Sequence, residues 1–219
     1  MKKIYFLVIV AVISLWQPSF AQAQWEVRGS MGLNIVSMAD LKDYLNANYF
    51  VGNDRLSQFT PAVETGIEVG YQLEEHFQLA CELSYEYNSF SNTALSTNSF
   101  SYNLLQPSLL GYYTINGKGF QFKFGGGIGP RFVFASELSP YTNSMLKYRS
   151  TGYGFVAKVD GITSIGGNYF AYLGFDLRYN QNGKLSDSEG KEKINNVTDA
   201  ALSLNSLSAG IKIGVAVTF

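Results

Sequence analysis

Apolar and polar positions alternate with a period of two along most of the chain, and the alternation is cleanest at its end. Leu207, Ala209, Ile211, Ile213, Val215, Val217 and Phe219 are apolar, while Ser208, Gly210, Lys212, Gly214, Ala216 and Thr218 lie between them. Successive side chains of a strand point to opposite faces, so one face of this strand is wholly apolar. The same pattern runs from Trp25 to Ile35, Thr60 to Leu73, Phe77 to Tyr87, Phe120 to Phe134, Thr151 to Ile162 and Tyr169 to Tyr179. A further strand, about Phe100 to Ile115, alternates less cleanly. Leu105, Pro107, Leu109 and Tyr113 are assigned to its outer face, with a bulge at Pro107 expected to blur the pattern, because proline cannot donate to the ladder. Eight strands result.

Two regularities say what the strands enclose. Thirteen charges fall within them: Glu26, Arg28, Glu64, Glu68, Glu82, Glu86, Lys123, Arg131, Lys158, Asp160, Asp176, Arg178 and Lys212. Every one lies opposite the apolar stripe. Six strands carry two charges each, and all six pairs agree in parity, an outcome expected by chance roughly once in 64 for a period of two. The joins also alternate. Glu74-Glu75-His76, Asn116-Gly117-Lys118-Gly119 and Ile165-Gly166-Gly167-Asn168 are tight turns, whereas Ser37 to Gln58, Asn88 to Ser99, Ala135 to Ser150 and Asn180 to Asn205 are long and polar. Leu41, Tyr44 and Leu45 allow a short helix in the first long join.

Aromatics gather at both strand ends. Trp25, Tyr71, Phe77, Tyr113, Phe120, Tyr169 and Phe219 lie beside the short turns; Tyr85, Tyr87, Phe132, Phe134, Tyr153 and Tyr179 lie towards the long joins. Two such belts suit two membrane interfaces. A soluble sandwich is the competing architecture, but its strands average about 5 to 6 residues, and these run about 11 to 15. The pattern predicts an all-β fold: an eight-stranded antiparallel up-and-down transmembrane β-barrel with short periplasmic turns and four longer extracellular loops.

The N-terminus agrees with that compartment. Lys2 and Lys3, the apolar run Ile4 to Trp16, and Ala21-Gln22-Ala23 read as a secretory signal peptide over residues 1–23, leaving 24–219 as one outer-membrane barrel domain. Gln24, not a cysteine, follows the expected cut, which argues against lipid anchoring. Removing the two lysines leaves 14 basic and 17 acidic residues, a net charge of −3 that gives nucleic acid no footing as a partner. Cys81 is the single cysteine and His76 the single histidine, so no internal disulfide forms.

The run Leu105-Gln106-Pro107-Ser108-Leu109-Leu110-Gly111-Tyr112-Tyr113, followed after the turn by Gly125-Gly126-Gly127-Ile128-Gly129-Pro130, resembles the Bacteroidetes outer-membrane β-barrel family. That family is labelled porin-family or PorT-like and is OmpX-like in architecture. The resemblance spans essentially the whole mature chain. It implies outer-membrane lipids as surroundings and the outer-membrane assembly machinery as a partner in biogenesis, with Phe219 similar to the terminal signal that machinery reads. It also implies, for PorT-like members, an accessory part in protein secretion.

An eight-stranded barrel has an interior about wide enough for its own side chains. Seven inward acids against six inward bases therefore read as a plug of ion pairs, with inward glycines making room for the long chains. Small barrels can be enzymes, but His76 sits in a periplasmic-side turn with no evident partner and Cys81 faces lipid. No cofactor or metal constellation is found. The expected role is non-enzymatic: envelope integrity or interaction with an envelope partner through the outer loops. Secretion accessory and narrow solute channel are the alternatives.

Overall fold

A computed structural model describes residues 25–50, 55–92, 98–138 and 144–219. The segment expected to be a signal peptide lies outside these. In chain order the elements are β1 (Trp25–Ser37), α1 (Ala39–Asn48), β2 (Ala62–Glu74), β3 (Phe77–Asn92), β4 (Asn98–Asn116), β5 (Phe120–Leu138), β6 (Met145–Gly166), β7 (Tyr169–Asn182), the two-residue strands β8 (Ile194–Asn195) and β9 (Ala200–Ala201), and β10 (Ser206–Thr218). Eight of the strands close into one antiparallel barrel in the order β1-β10-β7-β6-β5-β4-β3-β2, while β8 and β9 pair separately within the last long join.

The register determines the barrel's shape. A row of cross-strand partners starting at Trp25 runs through Tyr71, Leu79, Gly111, Gly126, Ala157, Leu177 and Ala209 and returns to β1 at Ile35, ten residues further along. Ten residues of about 3.3 Å, set against eight strand spacings of about 4.8 Å, tilt the strands by about 40° from the axis. Phe77 and Tyr87 on β3, and Tyr169 and Tyr179 on β7, are likewise ten residues apart and exposed on the outer face. At this tilt the two aromatic belts lie about 25 Å apart along the axis, the height of an outer-membrane apolar band. The tight turns sit at one belt. Glycine is required in two of them, where Gly119 has φ 82° and Gly167 φ 56°.

Two expectations are corrected. Pro107 causes no bulge: β4 holds one register against β3, with Pro107 opposite Leu83, and one against β5 on both sides of the proline. The β4–β5 ladder is interrupted only between the Leu105–Phe132 and Leu109–Ile128 pairs. That same register sets Pro107 against Pro130, so neither strand has a proline N–H to offer there. The second correction concerns the long joins. β3 continues to Asn92, β4 begins at Asn98, β5 continues to Leu138 and β6 begins at Met145, so much of the sequence assigned to loops is strand. These extensions stand above the outer belt, held by inward side chains that pack on one another.

Candidate functional site

The barrel interior carries charges from the periplasmic mouth to the outer belt, with a small apolar cluster of Ala80, Leu110, Tyr112 and Val156 among them. All thirteen strand charges named above are buried. At the mouth Lys123 Nζ donates to both oxygens of Glu26 (2.8 Å each) and to Gln78 Oε1 (2.8 Å). Arg28 bonds Glu26 through Nε and donates from Nη1 to Asp160 Oδ2 at 2.7 Å, with Glu68 Oε1 at 3.4 Å. Its guanidinium lies between the rings of Tyr112 and Tyr172, 5.3 and 5.5 Å from their centroids. Lys158 bridges Glu68 (2.8 Å) and Glu82 (3.1 Å). Arg178 reaches Glu82, Asp176 and Glu64 at 3.0, 2.9 and 3.2 Å, and Lys212 joins Glu64 and Asp176 at 2.6 Å each. Consecutive pairs share partners, so the chain of ion pairs is continuous across the lumen.

Two members differ from the expected pairing. Arg131 makes no ion pair among the described residues. Its Nε donates to Asn180 Oδ1 (2.6 Å), and Nη1 to the carbonyls of Pro107 (3.0 Å) and Pro130 (2.9 Å) and to Ser108 Oγ (3.2 Å). The guanidinium thus ties together the seam where the two prolines cannot pair. Glu86 has no base among the described residues either; it accepts from Asn34 Nδ2 (2.8 Å) and Tyr102 OH (3.1 Å). The inward glycines serve rings as well as long charged chains: a β-carbon on Gly125 would collide with Tyr112, and one on Gly214 with Tyr172.

Above the outer belt the interior changes character. Val36, Leu41, Tyr44, Leu45, Phe90, Phe100, Tyr102, Leu104, Val133, Leu185, Leu202 and Leu204 form one buried apolar cluster. It is roofed by α1, whose Leu41, Tyr44 and Leu45 share one face at helical spacing. Ten residues are too few for a stable isolated helix, so α1 exists by docking here. Glu137, assigned to a loop on sequence grounds, ends β5 inside this cap. It accepts from Tyr44 OH, Tyr49 OH (2.9 Å) and Tyr148 OH (3.4 Å), and pairs with Lys193 Nζ at 2.6 Å. Burial and Glu137 push the Tyr44 and Tyr49 hydroxyls well above the usual tyrosine range. One carboxylate thereby joins the first long join, both strands of the β5–β6 hairpin and the last long join. Sequence reasoning missed this cap, although the Phe90, Phe100, Tyr102 and Leu104 spacing was a signal for it.

The remaining sequence-assigned residues are surface features. Trp25, Phe77, Tyr113, Phe120 and Tyr169 are exposed on the lipid side and Tyr71 is half-buried, its ring 4.8 Å from that of Trp25. Phe219 is exposed, and its backbone exchanges hydrogen bonds with Trp25 across the closing seam (2.8 and 3.3 Å). His76 has a partner after all: its Nδ1 lies 3.0 Å from the Thr114 carbonyl in the periplasmic turn region. Cys81 is exposed on the lipid face.

A family model for the outer membrane protein beta-barrel domain matches residues 20–188. No curated protein matches the chain in sequence. Among solved structures the chain is similar to Neisserial surface protein A, NspA (14% identity, 90% of this chain and 100% of that one, TM-score 0.53). It is similar to Ail, the attachment invasion locus protein of Yersinia pestis, crystallised with the heparin analogue sucrose octasulfate (9% identity, 90% and 99% coverage, TM-score 0.55). It is also similar to a major outer membrane protein from Thermus thermophilus (12% identity, 90% and 100% coverage, TM-score 0.56). At these identities the likeness is one of fold.

Proposed function

The chain belongs to the family of outer membrane protein β-barrel domains, and we propose that it serves there as a closed, non-enzymatic barrel that presents one rigid cap at the cell surface. Through that cap it supports envelope integrity or holds an envelope partner. What carries the reading is closure at two levels: a continuous ion-pair chain across the lumen and an apolar plug above it, roofed by α1. Buried charges held by ion pairs and hydrogen bonds are structural cement more readily than a path for ions. A shallow hollow of about 230 Å³ at the periplasmic mouth is lined by Glu26, Gln72, Gln78 and Gln121, next to the Lys123–Glu26 pair. The absence of an enzymatic role is supported by His76, which is engaged by a backbone carbonyl on the side opposite the cell surface.

The motif resemblance to PorT-like barrels names one partner class for the same cap, the envelope proteins of a secretion complex. A cleaved signal peptide over residues 1–23 would deliver the barrel. The test is conductance. Purified barrel in a planar bilayer should show no steady current under an applied potential, and deleting α1 (residues 39–48) should still give none, because the ion-pair chain remains. A steady, ion-selective current through the intact protein would replace this reading with that of a narrow channel.

A further inference from the structure

Strand charges in this barrel point inward, with few exceptions. Among the described residues the outward ones are Glu74, beside a periplasmic turn, and Lys147 and Arg149 on β6. The two cations share the outward face with Tyr153, which belongs to the outer aromatic belt. Arg149 is four residues above Tyr153 and Lys147 six, heights of about 10 and 15 Å along the axis at the strand tilt derived above. The polar layer of a bilayer extends about 5 to 8 Å beyond its hydrocarbon. The long side chain of Arg149, the lower of the two, brings that layer within its reach.

The local geometry favours an anion. Arg149 is the cross-strand partner of Phe134, and its guanidinium lies 5.9 Å from the centroid of that ring. Lys147 lies on the same face about 6.6 Å along the strand. Neither makes an ion pair among the described residues. The backbone of Arg149 exchanges hydrogen bonds with Ser186 of the last long join (2.8 and 3.0 Å), and beside this bridge a cleft of about 1080 Å³ opens between β6 and that join, with Met145, Leu146 and Ile194 as apolar wall and Lys191 across it. Acids line the cleft too. Glu192 is neutralised by Lys184 at 3.0 Å, and Asp187 Oδ1 accepts the backbone N–H groups of Glu189 and Lys191 at 2.9 Å each. Lys193 is taken by Glu137. Lys147, Arg149 and Lys191 thus remain against the carboxylates of Asp187 and Glu189.

We propose that Lys147 and Arg149, with Phe134 beneath them, form a lipid-side site for a phosphate of an outer-leaflet lipid headgroup. Arginine holds phosphate through two parallel N–H groups, and lysine adds a point charge. Attachment of one such lipid would anchor the β5–β6 arm at the surface on which the cap stands.

The test titrates the full mature barrel in detergent with diphosphorylated lipid A, followed by native mass spectrometry. The same lipid freed of both phosphates and inorganic phosphate serve as separate probes. The phosphorylated lipid should bind at least tenfold more tightly than the dephosphorylated one. The K147Q/R149Q double variant should erase that difference, while K118Q, in a periplasmic turn, should leave it intact. R149K, which keeps charge but loses the fork, should fall between. Each variant must first show the heat-modifiable gel mobility of a closed barrel. If K147Q/R149Q does not close, R149K decides: an affinity equal to wild type overturns the site. Equal binding of the two lipids by the wild type overturns it as well, and so does unchanged binding by a closed K147Q/R149Q. Displacement of the lipid by equimolar inorganic phosphate would identify a free-phosphate site instead and overturn the lipid assignment.

Discussion

Replacing Arg178 by methionine keeps most of the side chain's length and removes its charge. Arg178 is fully buried and lies within 3.2 Å of Glu64, Glu82 and Asp176. These acids retain Lys212 at 2.6 Å from Glu64 and Asp176, and Lys158 at 3.1 Å from Glu82. Lys158 is shared with Glu68, so between one and two negative charges are left uncompensated in a site closed to water. Removing one partner of a buried pair costs about 3 to 5 kcal/mol. The remaining lysines place R178M at the low end, about 3 kcal/mol, or about a hundredfold in the folding equilibrium. Urea unfolding in lipid vesicles, followed by tryptophan fluorescence, measures it. Glu82→Gln in the R178M background should recover at least half of the loss by removing the orphaned charge. R131M is the internal control. It strands only neutral acceptors, so it should cost less, about 1 to 3 kcal/mol. A loss below about 1 kcal/mol for R178M, or no recovery in the double variant, would refute the ion-pair account of the lumen.

Two further perturbations probe the seam and the cap. Gly129→Ala places a methyl against the backbone carbonyl of Pro107, an atom fixed by the barrel wall, so a loss of about 1 to 3 kcal/mol or failure to close is expected on heat-shift gels. Tyr44→Phe removes one donor from Glu137 and should weaken docking of α1 by about 1 to 3 kcal/mol, seen as faster limited proteolysis within residues 38–61; an unchanged rate would remove Glu137 as the clasp. The same clasp has a pH sign. Tyr44 is raised above its ordinary value of 10.0, so docking is fully stable below that pH and weakens as pH rises past it.

Much of the fold could be read from the chain because a membrane-spanning strand repeats one instruction every two residues. The parity of Glu64 with Glu68, or of Asp176 with Arg178, places whole strands, since a slip of one residue would turn both charges to lipid. Partners were not readable in this way. Parity alone assigns Arg131 to the inward face, and its side chain is buried. Only the register, which sets Pro107 opposite Pro130, explains why its fork meets carbonyls rather than carboxylates. Glu137 was hidden more deeply. It belongs to a stretch of Ser, Glu, Pro, Tyr, Thr and Asn whose composition reads as loop, and its four partners come from α1 and the residue that follows it, the start of β6 and the last long join.

β4 shows why the loops were misjudged. Within the membrane its inward residues are Gln106, Ser108, Leu110, Tyr112 and Thr114, and its outward ones are Leu105, Pro107, Leu109, Tyr113 and Ile115. Further out the inward residues are Phe100, Tyr102 and Leu104, and the outward ones Ser99, Ser101 and Asn103. Alternation never lapses, but the faces exchange polarity between Leu104 and Gln106. In β5 the exchange falls between Arg131 and Val133. Both positions are level with the outer aromatic belt. Where the outside is hydrocarbon, moving an apolar side chain inward gains nothing from water, and the lumen is free to be filled by paired charges. Where the outside is water, the hydrophobic effect returns, and the inward face must be apolar for the wall to stand. A single strand therefore obeys two opposite amphipathic rules, and the residue at which one gives way to the other marks the membrane surface. The blurred alternation of β4 records that surface, and the proline within it is incidental.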